Sequence, residues 1–448
     1  MERKEPSMTE KPGAELSLRE AMLPAKVRDW RAKLSVKAKE ERGYRFYSLY
    51  GLVSHRETLR AAWAQVRANG GAAGVDGQTI EQIEKEGEDS FIEKLACELQ
   101  EKTYRTGAVR RVYIEKANGK LRPLGIPNIR DRVVQTAVVL ILEPIFEADF
   151  LDCSHGFRPG RKAHDALGQI REQLRVGRTT VYDADMEGFF DSIPHDKLMA
   201  CVRMRVVDGS VLRLIEQWLK AAVEERDENG KPRRKRNDKG TPQGGVVSPI
   251  LANIYLHWFD HVFHAKTGPA HWAKAVLVRY ADDFVILSRE ASEQLVTFIE
   301  TKLESWLGLK LNREKTRIKD LRKSGESLDF LGYNFRLSRD QYGRKLKYWN
   351  MSPSGKTVIK EREKIRRIIN KSKSHQPLPE LIGELNAHLR GWANYFRPGH
   401  SRKAFRQINS YVREKLERHL QRRSQRAWKP KGAESAYEYF ARMNLIYL

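Results

Sequence analysis

Cysteine is scarce: Cys97, Cys153 and Cys201 are the three in 448 residues, and none forms a C-x-x-C pair. A disulfide framework and a zinc ribbon are therefore not expected, and a reducing compartment is. Long apolar runs are also missing. A membrane span needs about 18–20 apolar residues, and the stretch from Val138 to Leu142 is ended by Glu143-Pro144. The first fifteen residues mix acids, bases and prolines, which matches neither a signal peptide nor an acid-poor transit peptide. Acids are outnumbered too, 58 Asp and Glu against 83 Lys and Arg, for a formal charge of +25 and a pI of about 9.8. Such a charge specifies no fold but selects polyanionic partners. It is uneven: Met351 to Leu448 holds 22 Lys and Arg against 8 Asp and Glu. A generally basic protein without a dedicated polyanion is the plainer alternative, and this asymmetry weighs against it. The length suffices for two or three domains with cores of their own.

Within this basic chain one acidic stretch stands out. Tyr280-Ala281-Asp282-Asp283 lies between two short apolar runs, Ala275 to Val278 and Phe284 to Leu287. Both runs are rich in β-branched or aromatic residues, which predicts two buried strands joined by a four-residue hairpin turn. Adjacent carboxylates repel each other, and a divalent cation makes them tolerable; oxygen ligands suit Mg²⁺ or Mn²⁺. A third carboxylate at the end of a neighbouring strand would complete a two-metal site for nucleotidyl transfer. Asp185 is the candidate, at the end of a predicted strand from Thr179 that runs into Gly188-Phe189-Phe190. Asp183 and Asp191 have weaker claims. Between these pieces, Gly240 to Pro249 reads as a glycine-rich loop, with Ser248 as a helix N-cap and Pro249 at the first helical position. His257, His261 and His264 share one helix face, but with no further ligand nearby they read as packing residues.

Taken in order, these pieces resemble the palm motifs of reverse transcriptases. Further motifs narrow the resemblance to the group II intron reverse transcriptase/maturase family: Gly156-Phe157-Arg158-Pro159-Gly160-Arg161, Thr241-Pro242-Gln243-Gly244-Gly245, Leu328-Asp329-Phe330-Leu331-Gly332 and Gly391-Trp392-Ala393-Asn394-Tyr395-Phe396. The resemblance runs from Tyr44 to Arg426. It implies an α/β (α+β) right-hand polymerase with fingers and palm, an N-terminal helical extension and a three-helix thumb, the maturase domain X. The expected divisions are a disordered N-terminus 1–20, the extension 21–85, fingers and palm 86–350, thumb 351–428 and a short C-terminal tail 429–448. The brief segment after the thumb and the lack of a Cys- and His-bearing endonuclease domain speak against target-site cleavage.

The resemblance also implies roles. Asp185, Asp282 and Asp283 are the expected catalytic residues, holding two Mg²⁺ ions (Mn²⁺ as a substitute) together with the backbone carbonyl of Met186. Lys120 and Arg122, on a hairpin turning at Asn118-Gly119, are expected to hold the triphosphate. Gln243 packs by the nucleotide and Phe190 lies beneath its sugar. Lys315 is a candidate general acid for the leaving pyrophosphate. Arg158 and Arg161 are expected at phosphates. The stretch Glu224 to Lys239, with Arg233 to Arg236, reads as an exposed hairpin or loop that meets RNA or only solvent. In the thumb, Arg390, Arg397, Arg402, Lys403 and Arg406 are the expected RNA contacts, while Trp392, Tyr395 and Phe396 belong to its core. The implied activity is RNA-directed DNA synthesis with intron-RNA binding that aids splicing and mobility. The implied partners are group II intron RNA, an RNA template with a DNA primer, and dNTPs. No membrane is implied, the setting is bacterial cytoplasm at the nucleoid, and monomer and dimer both stay open. Two rivals remain: a domesticated reverse transcriptase in repair or phage defence, and an RNA-binding splicing factor with a dead polymerase, against which the intact carboxylates argue.

Overall fold

A computed structural model describes residues 20–115, 121–226, 231–340, 346–423, 428–430 and 434–448. The expected disorder of the N-terminus, the Asn118-Gly119 turn and Lys120 lie outside the described residues. The chain divides into two compact units, Met1–Ile170 with Tyr182–Ile318, and Arg171–Val181 with Lys319–Leu448.

The first unit is built on the helix Ile129–Glu147, whose Val133, Val134, Ala137, Val138 and Ile141 are fully buried. At about 1.5–3 kcal/mol for each of these valines and the isoleucine, this helix is a main source of the unit's cohesion. The helices Ala25–Glu40 and Arg56–Asn69 pack against it. Arg56–Asn69 buries Leu59, Ala62, Trp63 and Val66 at helical spacing. Sequence periodicity predicts unbroken helices from Leu23 to Leu52 and from Glu81 to Glu101. The first instead starts after Pro24 and stops at Glu40; the second is split at Gly87 into Ile80–Glu86 and Glu88–Gln100.

Two sheets carry the rest of this unit. Strands β1 (Val109–Glu115) and β2 (Leu121–Ile126) form the expected antiparallel hairpin, with Ile114 opposite Arg122. The second sheet contains β3 (Thr180–Ala184). The charged stretch after Val223 does not stand alone: β4 (Val223–Arg226) and β5 (Pro232–Lys235) extend the first sheet in the order β2-β1-β4-β5. β4 runs parallel to β1, with Val109 opposite Val223. The second sheet has the order β6-β7-β3-β8, with β6 Val276–Tyr280, β7 Asp283–Ser288 and β8 Arg317–Asp320. Helix Ser248–His264 contributes Leu251, Tyr255, Phe259 and Phe263 to the same core as Leu277, Phe284 and Ile286. Ser248 is not its N-cap. Val247 holds that position, and the Ser248 hydroxyl donates to the Pro242 carbonyl at 2.9 Å, which closes the glycine-rich loop on itself.

In the second unit, β9 (Leu328–Phe330), β10 (Tyr333–Arg339) and β11 (Lys347–Pro353) form an antiparallel sheet. The helices Gly355–Ile368, Leu378–Phe396 and Arg402–Gln421 close around Ile365, Leu381, Leu385, Ile408, Val412 and Leu416. The segment read as a C-terminal tail carries a further helix, Ala436–Arg442, started by a Ser435/Glu438 capping box. Its Phe440 is fully buried in that core, and Asn386 bonds both the Asn444 carbonyl and the Ile446 amide. No helix among the described residues is long and apolar enough to cross a membrane.

Candidate active site

The acidic turn is tighter than its sequence suggests. β6 and β7 pair up to Tyr280 opposite Asp283, so only Ala281 and Asp282 turn the chain. Ala281 takes a left-handed φ of 58°, which costs an alanine about 1–2 kcal/mol and must be imposed by its surroundings. The loop from Cys153 to Phe157 supplies part of that constraint. The Arg279 amide donates to the Cys153 carbonyl at 2.8 Å, and the His155 amide to the Arg279 carbonyl at 2.9 Å. Gly156 then lies so close that a Cβ there would fall 2.3 Å from the Ala281 nitrogen. A glycine is needed for close approach rather than for its backbone freedom.

Arg158, in the same loop, does not face phosphate. Its side chain is 3% exposed and its guanidinium bonds Glu147 at 2.6 Å, the Leu151 carbonyl at 2.6 Å and the Ser154 carbonyl at 2.7 Å. The expectation fails because the loop folds back on the end of helix Ile129–Glu147, where Glu147 supplies an acid and the segment just after the helix supplies the Leu151 and Ser154 carbonyls. Arg161 is more exposed and pairs with Asp152 at the surface.

Asp185 lies just past β3. Its carbonyl accepts from the Asn312 amide at 2.8 Å, and the Glu187 amide donates to the Lys310 carbonyl at 2.8 Å. These bonds bracket an antiparallel bridge between Met186 and Leu311. By strand alternation the Met186 peptide groups face the opposite way. The Asp185 carboxylate meets the Lys315 ammonium at 2.9 Å.

The acids lie within one another's field. Burial pushes the Asp282 carboxyl above its ordinary range; Asp185 adds to the rise and Arg122 opposes it. Asp283 keeps an accessible face, yet the protein around it strips away enough water to push its carboxyl to about 6, with repulsion from Asp282, Asp185 and Asp183 contributing and Lys315 opposing. Among the described residues no three His, Cys, Asp or Glu side chains are grouped as a metal site.

A second set of residues converges beside this turn. The Arg122 Nε donates to Gln243 Oε1 at 3.0 Å, and Gln243 Nε2 donates to Asp191 Oδ2 at 2.9 Å. Phe189 is 2% exposed in the core, while Phe190 is half-buried and meets it edge-to-face at 5.2 Å. The Phe190 carbonyl accepts from the Thr241 amide at 2.6 Å. Gly240, at φ 84°, allows this contact, since a Cβ there would sit 2.6 Å from the Phe190 oxygen. Arg122, Phe190 and Gln243 are thus brought together. In the second unit Arg390, Arg397, Arg402, Lys403 and Arg406 are exposed, whereas Phe396 is buried and Trp392 and Tyr395 are partly so.

Sequence reasoning passed over Asn253, Asp260 and Arg279, all buried under the turn. The signal was present: an Asn and an Asp seven apart on a largely apolar helix, and an arginine inside an apolar strand.

Comparison with known proteins agrees with this arrangement. Residues 114–335 match the family described as reverse transcriptase (RNA-dependent DNA polymerase), and residues 359–437 match the group II intron, maturase-specific domain. The chain is 34% identical over 354 residues to protein YkfC of Escherichia coli (strain K12), spanning 71% of this chain and 90% of that protein. It is 31% identical over 438 residues to the group II intron-encoded protein LtrA of Lactococcus lactis subsp. cremoris, spanning 78% of this chain and 70% of LtrA. With both domains matched in order and relatives covered over most of their length, the chain belongs to the group II intron reverse transcriptase/maturase family and is an RNA-directed DNA polymerase.

Proposed function

We propose that Asp185, Asp282 and Asp283 are the catalytic carboxylates of RNA-templated DNA synthesis, with two Mg²⁺ ions, or Mn²⁺ in their place, as cofactor. The donor set fits hard cations: the side chains offer only oxygen, and the Met186 carbonyl faces away from the 310–312 strand segment that binds its neighbours. The observation that carries the reading is the convergence of Asp282 and Asp283 at the turn with Asp185, where burial first and mutual repulsion second push Asp283 to about 6, a cost that a divalent cation would relieve. When bound, the ions would supply Lewis-acid activation of the primer 3′-hydroxyl and stabilise charge on the pyrophosphate.

The chain's own residues position the reactants. Arg122 holds the triphosphate, with Lys120 assigned the same task from the sequence. Gln243, tied to both Arg122 and Asp191, lies by the sugar, and Phe190 walls off its 2′ side. Lys315 gives a proton to the leaving pyrophosphate. The exposed cations Arg390, Arg397, Arg402, Lys403 and Arg406, with Arg161, bind intron RNA or the template–primer duplex through phosphates, as A-form RNA requires. The divisions 21–85, 86–350 and 351–428 are the proposed extension, fingers with palm, and thumb. The setting is the bacterial cytoplasm.

The test is Asp282→Ala, which removes one acid without touching the basic helices. It should abolish dNTP incorporation on a primed RNA template in Mg²⁺, while affinity for the RNA stays within a few-fold. Near-normal synthesis by this variant overturns the site assignment.

A further inference from the structure

The peptide that turns between Tyr280 and Asp283 is held from below by one guanidinium. Arg279 is 0% exposed, as is Asp260, and Asn253 is 1% exposed. Arg279 Nε donates to Asp260 Oδ1 at 2.9 Å and Nη2 to Oδ2 at 2.5 Å, a two-point pair. Its Nη1 donates to Asn253 Oδ1 at 2.9 Å and to the Ala281 carbonyl at 2.9 Å. Asn253 Nδ2 in turn donates to the Gly156 carbonyl at 2.8 Å. Asn253 and Asp260 are seven residues apart on helix Ser248–His264, so one helix face presents both to the strand.

We propose that Arg279, set by Asp260 and Asn253, is a positioning residue: it fixes the left-handed Ala281 peptide and thereby the directions of Asp282 and Asp283. The inference rests on the reading of those two acids as catalytic. Stability alone does not account for the network, because a buried ion pair is matched or bettered by apolar residues of similar volume. What an apolar residue lacks is a donor for the Ala281 carbonyl. Lysine lacks the planar fork that reaches Asp260, Asn253 and Ala281 at once. The same network grips both chains that confine Ala281, its own strand through Arg279 and the Cys153–Phe157 loop through Asn253. Slack in the network therefore becomes slack in the turn.

Two variants test this: Arg279→Lys, which keeps the charge, and Arg279→Met with Asp260→Leu, which removes both charges together. Folding is checked by circular dichroism and by RNA affinity, which should match wild type. In metal-free protein, amides of residues 279–285 should exchange at least about tenfold faster in both variants, while those of Ser248–His264 keep their rate. In Mg²⁺, kcat should fall about tenfold or more with the dNTP KM within about threefold. A folded variant with wild-type exchange at the turn and wild-type kcat overturns the proposal. Should neither variant fold, exchange in the wild-type chain decides. Turn amides as slow as those of Ser248–His264 support the brace, and amides as fast as the exposed β4–β5 hairpin overturn it. Asp282→Ala run alongside separates the two readings: if it stays active, the catalytic assignment fails and the proposal with it; if it is dead while the Arg279 variants are fully active, only the brace fails.

Discussion

The Lys315 ammonium lies 2.9 Å from Oδ2 of Asp185, a pair formed on the exposed side of the acidic cluster. So exposed a pair is weak and easily displaced. On the proposed assignment, Lys315 leaves Asp185 when a divalent cation binds there, and it is then free to meet the pyrophosphate. Lys315→Ala should lower the half-saturating Mg²⁺ concentration by up to about fivefold. The same change should lower kcat about 100-fold or more, and Lys315→Arg should not restore it, because a guanidinium does not give up its proton. Metal titration of single-nucleotide extension reads both effects; an unchanged kcat removes Lys315 from proton transfer.

Arg158 and Arg161 should behave oppositely. Arg158→Ala leaves Glu147 and several carbonyls without their donor and should cost about 3 kcal/mol or more in urea unfolding. It should not alter the salt dependence of RNA binding. Arg161→Ala should change stability by less than about 0.5 kcal/mol and flatten the slope of log K against log[salt] by roughly one unit if it meets a phosphate. A stable Arg158→Ala protein with a flattened slope would contradict the buried placement.

On the proposed assignment, sugar selection rests on Phe190, whose ring is rigid and offers a 2′-hydroxyl no hydrogen-bond partner. Phe190→Val should raise ribonucleotide incorporation relative to deoxynucleotide about tenfold or more, equivalent to about 1.4 kcal/mol. Phe189→Ala should lower stability by about 3–5 kcal/mol instead and leave the ratio alone. Matched dNTP and rNTP extensions distinguish the two, and control by Phe189 would mean the ring facing the nucleotide has been misassigned.

The thumb cations are tested by salt. Replacing Arg402, Lys403 and Arg406 together by Ala should flatten the log K against log[salt] slope by roughly two to three units, since each phosphate contact releases counterions. An unchanged slope would show that this face does not meet RNA.

Acid should weaken the fold through His257, which packs edge-on to Phe150 and whose imidazole burial pushes down to about 4. The folded chain favours the neutral ring, whereas the unfolded ring protonates near its usual 6.5. Stability from this group is therefore complete above pH 6.5 and falls as pH drops toward 4, by on the order of 2–3 kcal/mol at pH 4.5. In His257→Leu the plot of unfolding free energy against pH should be shallower across that window. Equal slopes would mean the ring is already solvated in the native state.

The sequence by itself determined what depends on neighbours along the chain. Apolar spacing marks Arg56–Asn69 and Asp131–Phe146 as helices, the second running from Ile129 to Glu147 in the fold, and two short apolar runs place Asp282 and Asp283 at a hairpin. The order of the motifs carries the family, because each motif is a local arrangement that survives in the linear code. Tertiary structure alone decided what each polar group meets. Arg158 and Arg161 are three residues apart and alike on paper, yet one is buried against Glu147 and the other lies at the surface with Asp152. Ser248 has the composition of a cap, but Pro242 comes close enough to take its hydroxyl. The stretch holding β4 and β5 reads as an exposed hairpin or loop, but that β1 gives it a parallel edge to pair with is decided only by the folded chain. Arg279 finds Asp260 and Asn253 across 19 and 26 residues of chain. Hydrophobic periodicity is repeated at every turn of an element and so can be read from a short window. A hydrogen bond or ion pair forms only within about 3 Å, a distance set by the folded chain rather than by separation along the sequence.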